Sequence, residues 1–272
     1  MDVSKTSASE RDDRRPVPFR GGGFAPTPRR LLPWIVFVVL IAAWQAASSA
    51  GLLPPLFMPS PAAVVDALYG LWTNGTLAQN VGASLGRIIP GWIIGTAAGL
   101  AVGLAMGIFS AARAAGLPIV SALFPIPKIA LLPLLILWFG IGEPSKVATI
   151  ALGVFFPTVI SAYSACDSVP RNLIRMGQSF GLPATDIVAK IVLPGAMPGI
   201  LAGFRISASV ALLLLVAAEM IGAQYGIGAF VLTAGNLMQT DQLLAGVVVL
   251  SILGLLISWG LGMVERSVLQ WR

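Results

Sequence analysis

The chain has 272 residues, 57% of them hydrophobic and only 10% charged, with a mean hydropathy of +0.89. A soluble domain carries about 25% charged residues, so this composition excludes water as the main solvent and favours a single membrane domain. One cysteine, Cys166, and no histidine exclude an intramolecular disulfide, a multi-cysteine or His-ligated metal site, a His-based triad and a histidine proton relay.

Residues 1–30 read as a disordered, basic, polar tail, with Gly21 to Gly23 and Pro16, Pro18, Pro26 and Pro28 breaking any helix. Seven of the 17 basic residues lie there, and the others are scattered singly between apolar runs. The positive-inside rule produces that distribution, so the net charge of +6 signals membrane orientation rather than nucleic acid. The apolar run that follows begins near Leu31 and is too long for the h-region of a cleaved signal peptide. It reads as an uncleaved first membrane helix, and residues 31–272 as one transmembrane domain.

A bilayer span needs about 20 mostly apolar residues. The first candidate is Leu31 to Ala50. A Pro/Gly-rich stretch from Gly51 to Pro61 and an amphipathic piece from Ala62 to Trp72 follow it. The second span, about Val81 to Phe109, carries Gly91, Gly95, Gly99, Gly103 and Gly107 in one i+4 row, a smooth ridge for close helix packing. The third, Leu117 to about Phe139, contains Pro118, Pro125, Pro127 and Pro133, so a bent helix buried in the bundle is predicted. Further spans are predicted over Val147–Ala165, Gly199–Ala223 and Leu243–Val264. The fold class is therefore all-α: a polytopic bundle of about six transmembrane helices. With both termini in the cytoplasm, the inner segments hold Arg113, Arg171, Arg175, Lys190, Arg266 and Arg272. The outer loops then hold Asp66, Glu143, Lys146 and Asp241, with Arg87 near the outer end of span two.

Between spans four and five, Cys166 to Pro198 is too polar to cross the membrane and long for a connection between packed helices. Two short helices are predicted in it. One covers about Pro170 to Phe180, with Pro170 suited to a first turn. After a break at Gly181-Leu182-Pro183, the second starts near Ala184 with Asp186 at its N-terminal end. Ile187, Val188 and Ile191 make an apolar stripe there, which implies a covering partner protein. Glu219 is the most informative charge inside a span, since such a carboxylate costs about 2.5–3.5 kcal/mol on insertion scales. It has two readings: a helix–helix contact, for example with Arg87, or a gate on a translocation path near the outer end of span five.

Gly181, Ile191 ten residues later and Leu193-Pro194 resemble the conserved loop of binding-protein-dependent ABC importer permeases. So do Ser84-Leu85-Gly86-Arg87, Trp138-Phe139-Gly140-Ile141-Gly142-Glu143, Ala218-Glu219-Met220-Ile221-Gly222, Gly226-Ile227-Gly228 and the closing Glu265-Arg266, all similar to the nitrate, sulfonate and taurine branch. The resemblance covers about Leu31 to the end and implies the type I importer permease fold. It also implies a coupling helix that docks on an ATPase, expected to make contact through Gly181, Leu182, Pro183, Ala184, Thr185 and Asp186; the gate or path reading of Glu219 takes in Met220 and Gly222. The implied partners are an ABC ATPase subunit dimer, a second permease subunit (a homodimer), a periplasmic binding protein and the inner-membrane bilayer. No phosphate-binding G-x-x-x-x-G-K-[ST] string occurs, so the chain is expected to be no enzyme, with ATP and magnesium bound by the partner. An ion-gradient-driven secondary transporter or channel is the alternative; it would show embedded ionisable groups and inverted repeats. One departure stands out: the family's Glu-Ala-Ala triplet falls on Arg175-Met176-Gly177.

Overall fold

The computed structural model describes residues 31–270, which fall into two units, Met1–Leu52 and Leu53–Arg272. The predicted tail, residues 1–30, lies outside the described residues. In the first unit α1 (Leu32–Ser49) is a continuous apolar helix, with Pro33 in its first turn and Trp34, Ile35 and Phe37 exposed. A helix that is apolar all round suits lipid rather than water.

The second unit holds α2 (Pro61–Thr73), α3 (Thr76–Ile108), α4 (Ser110–Leu123), α5 (Leu132–Phe139) and α6 (Glu143–Asp167). It continues with α7 (Arg171–Ser179), α8 (Ala184–Ile187), α9 (Leu193–Gly222), α10 (Ile227–Asn236) and α11 (Thr240–Val268). No strand occurs among the described residues. The amphipathic piece predicted after the first span is α2, capped by the Ser60 hydroxyl, which accepts from Ala63 N at 3.2 Å. α3 starts five residues before the predicted Val81. Gly75 turns the chain with φ +78°, and Asn74 Oδ1 accepts from Thr76 N at 2.9 Å, so the helix begins at that turn.

The glycine row of α3 is the main seam. Each glycine meets α6 so closely that an added Cβ would collide: at Gly99 it would lie 2.7 Å from the Phe155 carbonyl oxygen, and at Gly103 2.6 Å from that of Val159. Gly107 faces the buried Cys166 in the same way. Glycines four apart on α3 meet carbonyls four apart on α6, in the same order along both chains, so the two helices run parallel. Such small-residue contacts replace the hydrophobic driving force that lipid removes. α9 packs antiparallel on the other side of α6, with Gly203 against Ser161 and Gly199 against Ala165.

The prolines of the third predicted span do more than bend it. α4 and α5 meet at 86° across a break that includes Pro125 and Pro127, with a single 3-10 turn over Lys128–Leu131. Lys128 Nζ donates to the carbonyls of Leu123 (2.8 Å), Phe124 (3.0 Å) and Ile126 (2.7 Å) at this break in the helical ladder, where Pro127 denies Leu123 its i+4 donor. Because α3 and α6 are parallel, α4 and α5 together must carry the chain back. Counted as one span, they bring the candidate spans from five to six.

One sequence expectation is corrected, and one helix is added. The second loop helix is not a separate piece. α8 runs through a π-helical turn at Val188–Val192 directly into α9, one apolar element over Ala184–Gly222. The added helix is α10, between the fifth and sixth spans; its ten residues are too few to cross a bilayer.

Candidate functional site

The described chain has functional features at opposite ends of α6. At 25 residues and about 1.5 Å per residue, α6 separates them by roughly 36 Å.

At the Asp167 end, α7 stops at a Schellman turn. Gly181 has φ +69°, Leu182 N donates to Gly177 O at 3.1 Å, and Gly181 N donates to Gln178 O at 3.0 Å. Leu182 folds back towards Gly177, the hydrophobic contact that accompanies this cap. A side chain at position 181 would be strained in that left-handed conformation. The turn sets Gly181 to Thr185 at the surface, with Asp186 half-buried and paired to Lys190 at 2.8 Å.

The apolar stripe is a second correction. Ile187 is buried and Ile191 half-buried, and both pack onto α7 at Gly177, where a Cβ would sit 2.9 Å from Ile191 Cδ1 and 3.4 Å from Ile187 Cγ1. The chain therefore covers its own stripe. The third position of the altered triplet keeps the small residue that this packing needs, while Arg175 points to the exposed side. What stays uncovered is one flank of α7 and the turn after it: Leu173, Met176, Phe180 (77% exposed) and part of Leu182. Ile174 closes the inner face against a core containing Cys166, Val169 and Val192.

At the opposite end lies a buried polar cluster. Glu219, only 1% exposed, accepts from Arg87 Nη1 at 2.7 Å and from Gly228 N at 2.8 Å. Ser84 Oγ lies 2.8 and 3.0 Å from its two oxygens and accepts from Ile227 N at 2.9 Å. Arg87 spends its remaining donors on Glu143, with Nε at 2.5 Å and Nη2 at 2.7 Å, and on the Tyr225 carbonyl at 2.7 Å. Asn80 Oδ1 accepts from Gly226 N at 2.8 Å. Gly226 itself has φ +136°, and a Cβ there would strike the Glu219 carboxylate and lie 2.6 Å from Arg87 Nη1. Side chains of α3 and α9 thus hold the N-terminal turn of α10, with the Gly228–Glu219 bond charge-assisted in a water-poor setting where such bonds are strongest, while Glu143 of α6, 61% exposed, braces Arg87. Sequence reasoning named Arg87 and Glu219 but not Ser84, Asn80 or Glu143 as their partners. The Gly226-Ile227-Gly228 string was the available signal, since backbone N–H groups of a tight turn suit a carboxylate.

The three path or gate candidates do not share a site. Glu219 faces the cluster, Met220 is half-buried, and Gly222 is exposed and lines a cavity between α5, α6 and α9. No group of three or more Cys, Asp or Glu side chains placed to hold a metal ion occurs among the described residues.

Five to six apolar spans among the described residues, with a broken helix and a surface loop joined to a membrane helix, mark a multi-pass membrane protein. The chain belongs to the family described as the binding-protein-dependent transport system inner membrane component, which its residues 95–270 match. The taurine transport system permease protein TauC of Escherichia coli K12 is 38% identical over 238 residues, 86% of each chain. SsuC of the same organism, named as an aliphatic sulfonates transport permease, is 37% identical over 242 residues, 89% of this chain and 92% of its own. Among solved structures, an inward-facing MetNI methionine ABC transporter chain aligns with TM-score 0.61 at 24% identity, covering 71% of this chain and 96% of that one. That likeness carries the fold alone, which is the importer permease fold that the sequence resemblance implied.

Proposed function

We propose that this permease forms half of the translocation path of an ATP-driven importer for a small organic anion of the sulfonate type. The anion class follows the TauC and SsuC relatives. Two copies pair, a periplasmic binding protein delivers the solute at the Glu219 end, and two ATPase subunits dock at the Phe180 end. ATP and magnesium are bound by those subunits. The basic residues Arg113, Arg171, Arg175, Lys190 and Arg266 gather at the Phe180 end, which is therefore cytoplasmic, as are both termini.

The observation that carries the reading is the uncovered loop surface. Leu173, Met176, Phe180 and Leu182 form an apolar face on an otherwise polar loop, and a Schellman turn presents Gly181 to Asp186 beside it. A protein partner buries such a face, and the turn fixes its angle, so a movement of the ATPase is passed directly into α9 through the continuous α8–α9 element. Glu219, with Met220 beside it, holds the outer gate closed by fixing α10; Gly222 lies on the path.

Solubilised native membranes test this. Co-purification of ATPase subunits with the permease is the expected result, and a lone polypeptide that transports would establish the ion-gradient alternative instead. Gly181→Leu in the assembled complex is expected to abolish substrate-stimulated ATP hydrolysis while leaving permease insertion intact. Import by the wild-type complex is then compared for taurine, ethanesulfonate, nitrate and methionine, with uptake of the sulfonates expected.

A further inference from the structure

Two lysines of the helical unit, Lys128 at the α4–α5 break and Lys146 in the first turn of α6, differ in how they are satisfied. Lys128 uses all three donors on carbonyls and sits 4.4 Å over the Phe156 ring. Lys146 is 5% exposed yet donates to one group, the Gly142 carbonyl at 3.0 Å. The charges of Glu143 and Glu219 reach it, but no ion-pair contact forms. Their oxygens are taken by Arg87, Ser84 and Gly228. A buried ammonium with two unused donors is costly in an apolar setting, so its retention calls for a ligand.

Lys146 lines a cavity of ≈ 150 Å³ walled by Leu132, Ile136 and Ala218, with the exposed Ile221 and Gly222 at its rim. One water needs about 10–15 Å³ of such space, so the cavity has room for several waters or one small organic anion. The geometry points to Lys146 as an anion contact on the path. An oxyanion enters past Ile221 and Gly222 and accepts from the two N–H groups of Lys146 that Gly142 leaves free. The apolar walls strengthen the attraction by lowering the local dielectric. A single cation without converging donors holds the anion briefly rather than tightly, as passage requires. This inference rests on the anion reading above.

The test uses the assembled permease–ATPase complex in membranes, with Cys166→Ala removing the native thiol and Gly222→Cys as reporter. Position 222 has open space for a side chain, so the reporter fits. The rate of modification by the anionic 2-sulfonatoethyl methanethiosulfonate is divided by that of neutral methyl methanethiosulfonate. Lys146→Gln is expected to lower this ratio about tenfold, and Lys146→Arg, which keeps the charge, to hold it. The neutral reagent reports any general opening of the site. An unchanged ratio in Lys146→Gln, or an equal fall in Lys146→Arg, overturns the proposal. The reagent is itself the anion, so the ratio does not depend on the imported solute. Failure of sulfonate import with the ratio intact removes only the anion reading of the transporter; failure of the ratio with sulfonate import intact removes only the Lys146 site.

Discussion

At the Glu219 end of α6 and α9, Arg87, Ser84, Asn80 and Glu219 all find their partners within the chain, and a glycine turn brings backbone donors to the one buried carboxylate. At the Phe180 end, apolar side chains face outward and the polar groups are exposed or joined in single surface ion pairs such as Arg113–Asp167 at 3.0 Å. The difference follows from the solvent each end meets. Polar groups held in a membrane bundle cost least when the chain satisfies them itself, because lipid offers no hydrogen bonds, and Lys146, with one bond to Gly142, is the exception at this end. An apolar face at an aqueous boundary can wait, since water tolerates it at modest cost and a partner can bind and leave. The buried end is therefore built to hold, and the loop end to be engaged.

The largest effect is expected where the buried end loses its only shared cation. Arg87→Met leaves the buried Glu219 without its ion-pair partner, and removing one partner of a buried pair costs about 3–5 kcal/mol. Thermal unfolding of the detergent-solubilised permease is expected to show the loss, with little folded protein recovered. Arg87→Met combined with Glu219→Leu is expected to regain part of it. A single variant as stable as the wild type would break the comparison at its stronger side.

Glu219→Gln should cost less, about 1–3 kcal/mol. Arg87 keeps its two bonds to Glu143, and the amide oxygen can still accept from one donor. The amide NH2, however, faces Gly228 N or Ser84, whose proton then points at another donor. The same unfolding assay is expected to rank it clearly milder than Arg87→Met, and equal losses would show that Arg87 is not the hub.

How much of each end can be read from sequence differs for physical reasons. The glycine row was legible because its spacing of four is the helix's own period, and a smooth ridge at that period has one use. The break at Gly181 was legible because a glycine two residues before a proline interrupts a helix, while the left-handed φ of +69° that makes it a Schellman turn came only with the structure. The ion cluster was only half legible: Ser84 and Glu219 are 135 residues apart, and no local pattern joins them. α10 escaped because a short apolar segment with glycines reads equally well as a connection. The stripe of Ile187 and Ile191 was read correctly as apolar but wrongly as bare. Periodicity tells which face needs cover and not what covers it, and the small Gly177 that admits those side chains sits where the family triplet is altered.

Gly177→Val probes that cover directly. A Cβ would lie 2.9 Å from the tip of Ile191, a flexible atom that can yield, so overpacking of about 1–3 kcal/mol is expected, confined to the loop. Trypsin cleavage at the exposed Arg171 and Arg175 should quicken several-fold, while unfolding of the membrane bundle stays near wild type. If the bundle melts early as well, the two ends are coupled more tightly than their separate contacts suggest.

The smallest effect on the fold is expected at Asp186→Asn. The Asp186–Lys190 pair spans one helical turn and its lysine side chain is 67% exposed; such pairs contribute only about 0.3–0.5 kcal/mol. Loss of the carboxylate near the start of α8 removes a further small helix-dipole term, and both contributions fade with added salt. Trypsin sensitivity should therefore change by less than about twofold and match wild type at high salt. ATP hydrolysis in the assembled complex is the sharper reading, because a carboxylate on a docking surface acts on the partner as well as on its own helix. Stimulated hydrolysis that falls far more than the loop's stability assigns Asp186 to the interface. A fall no larger than the stability change leaves the contact to the apolar face of Phe180 and its neighbours.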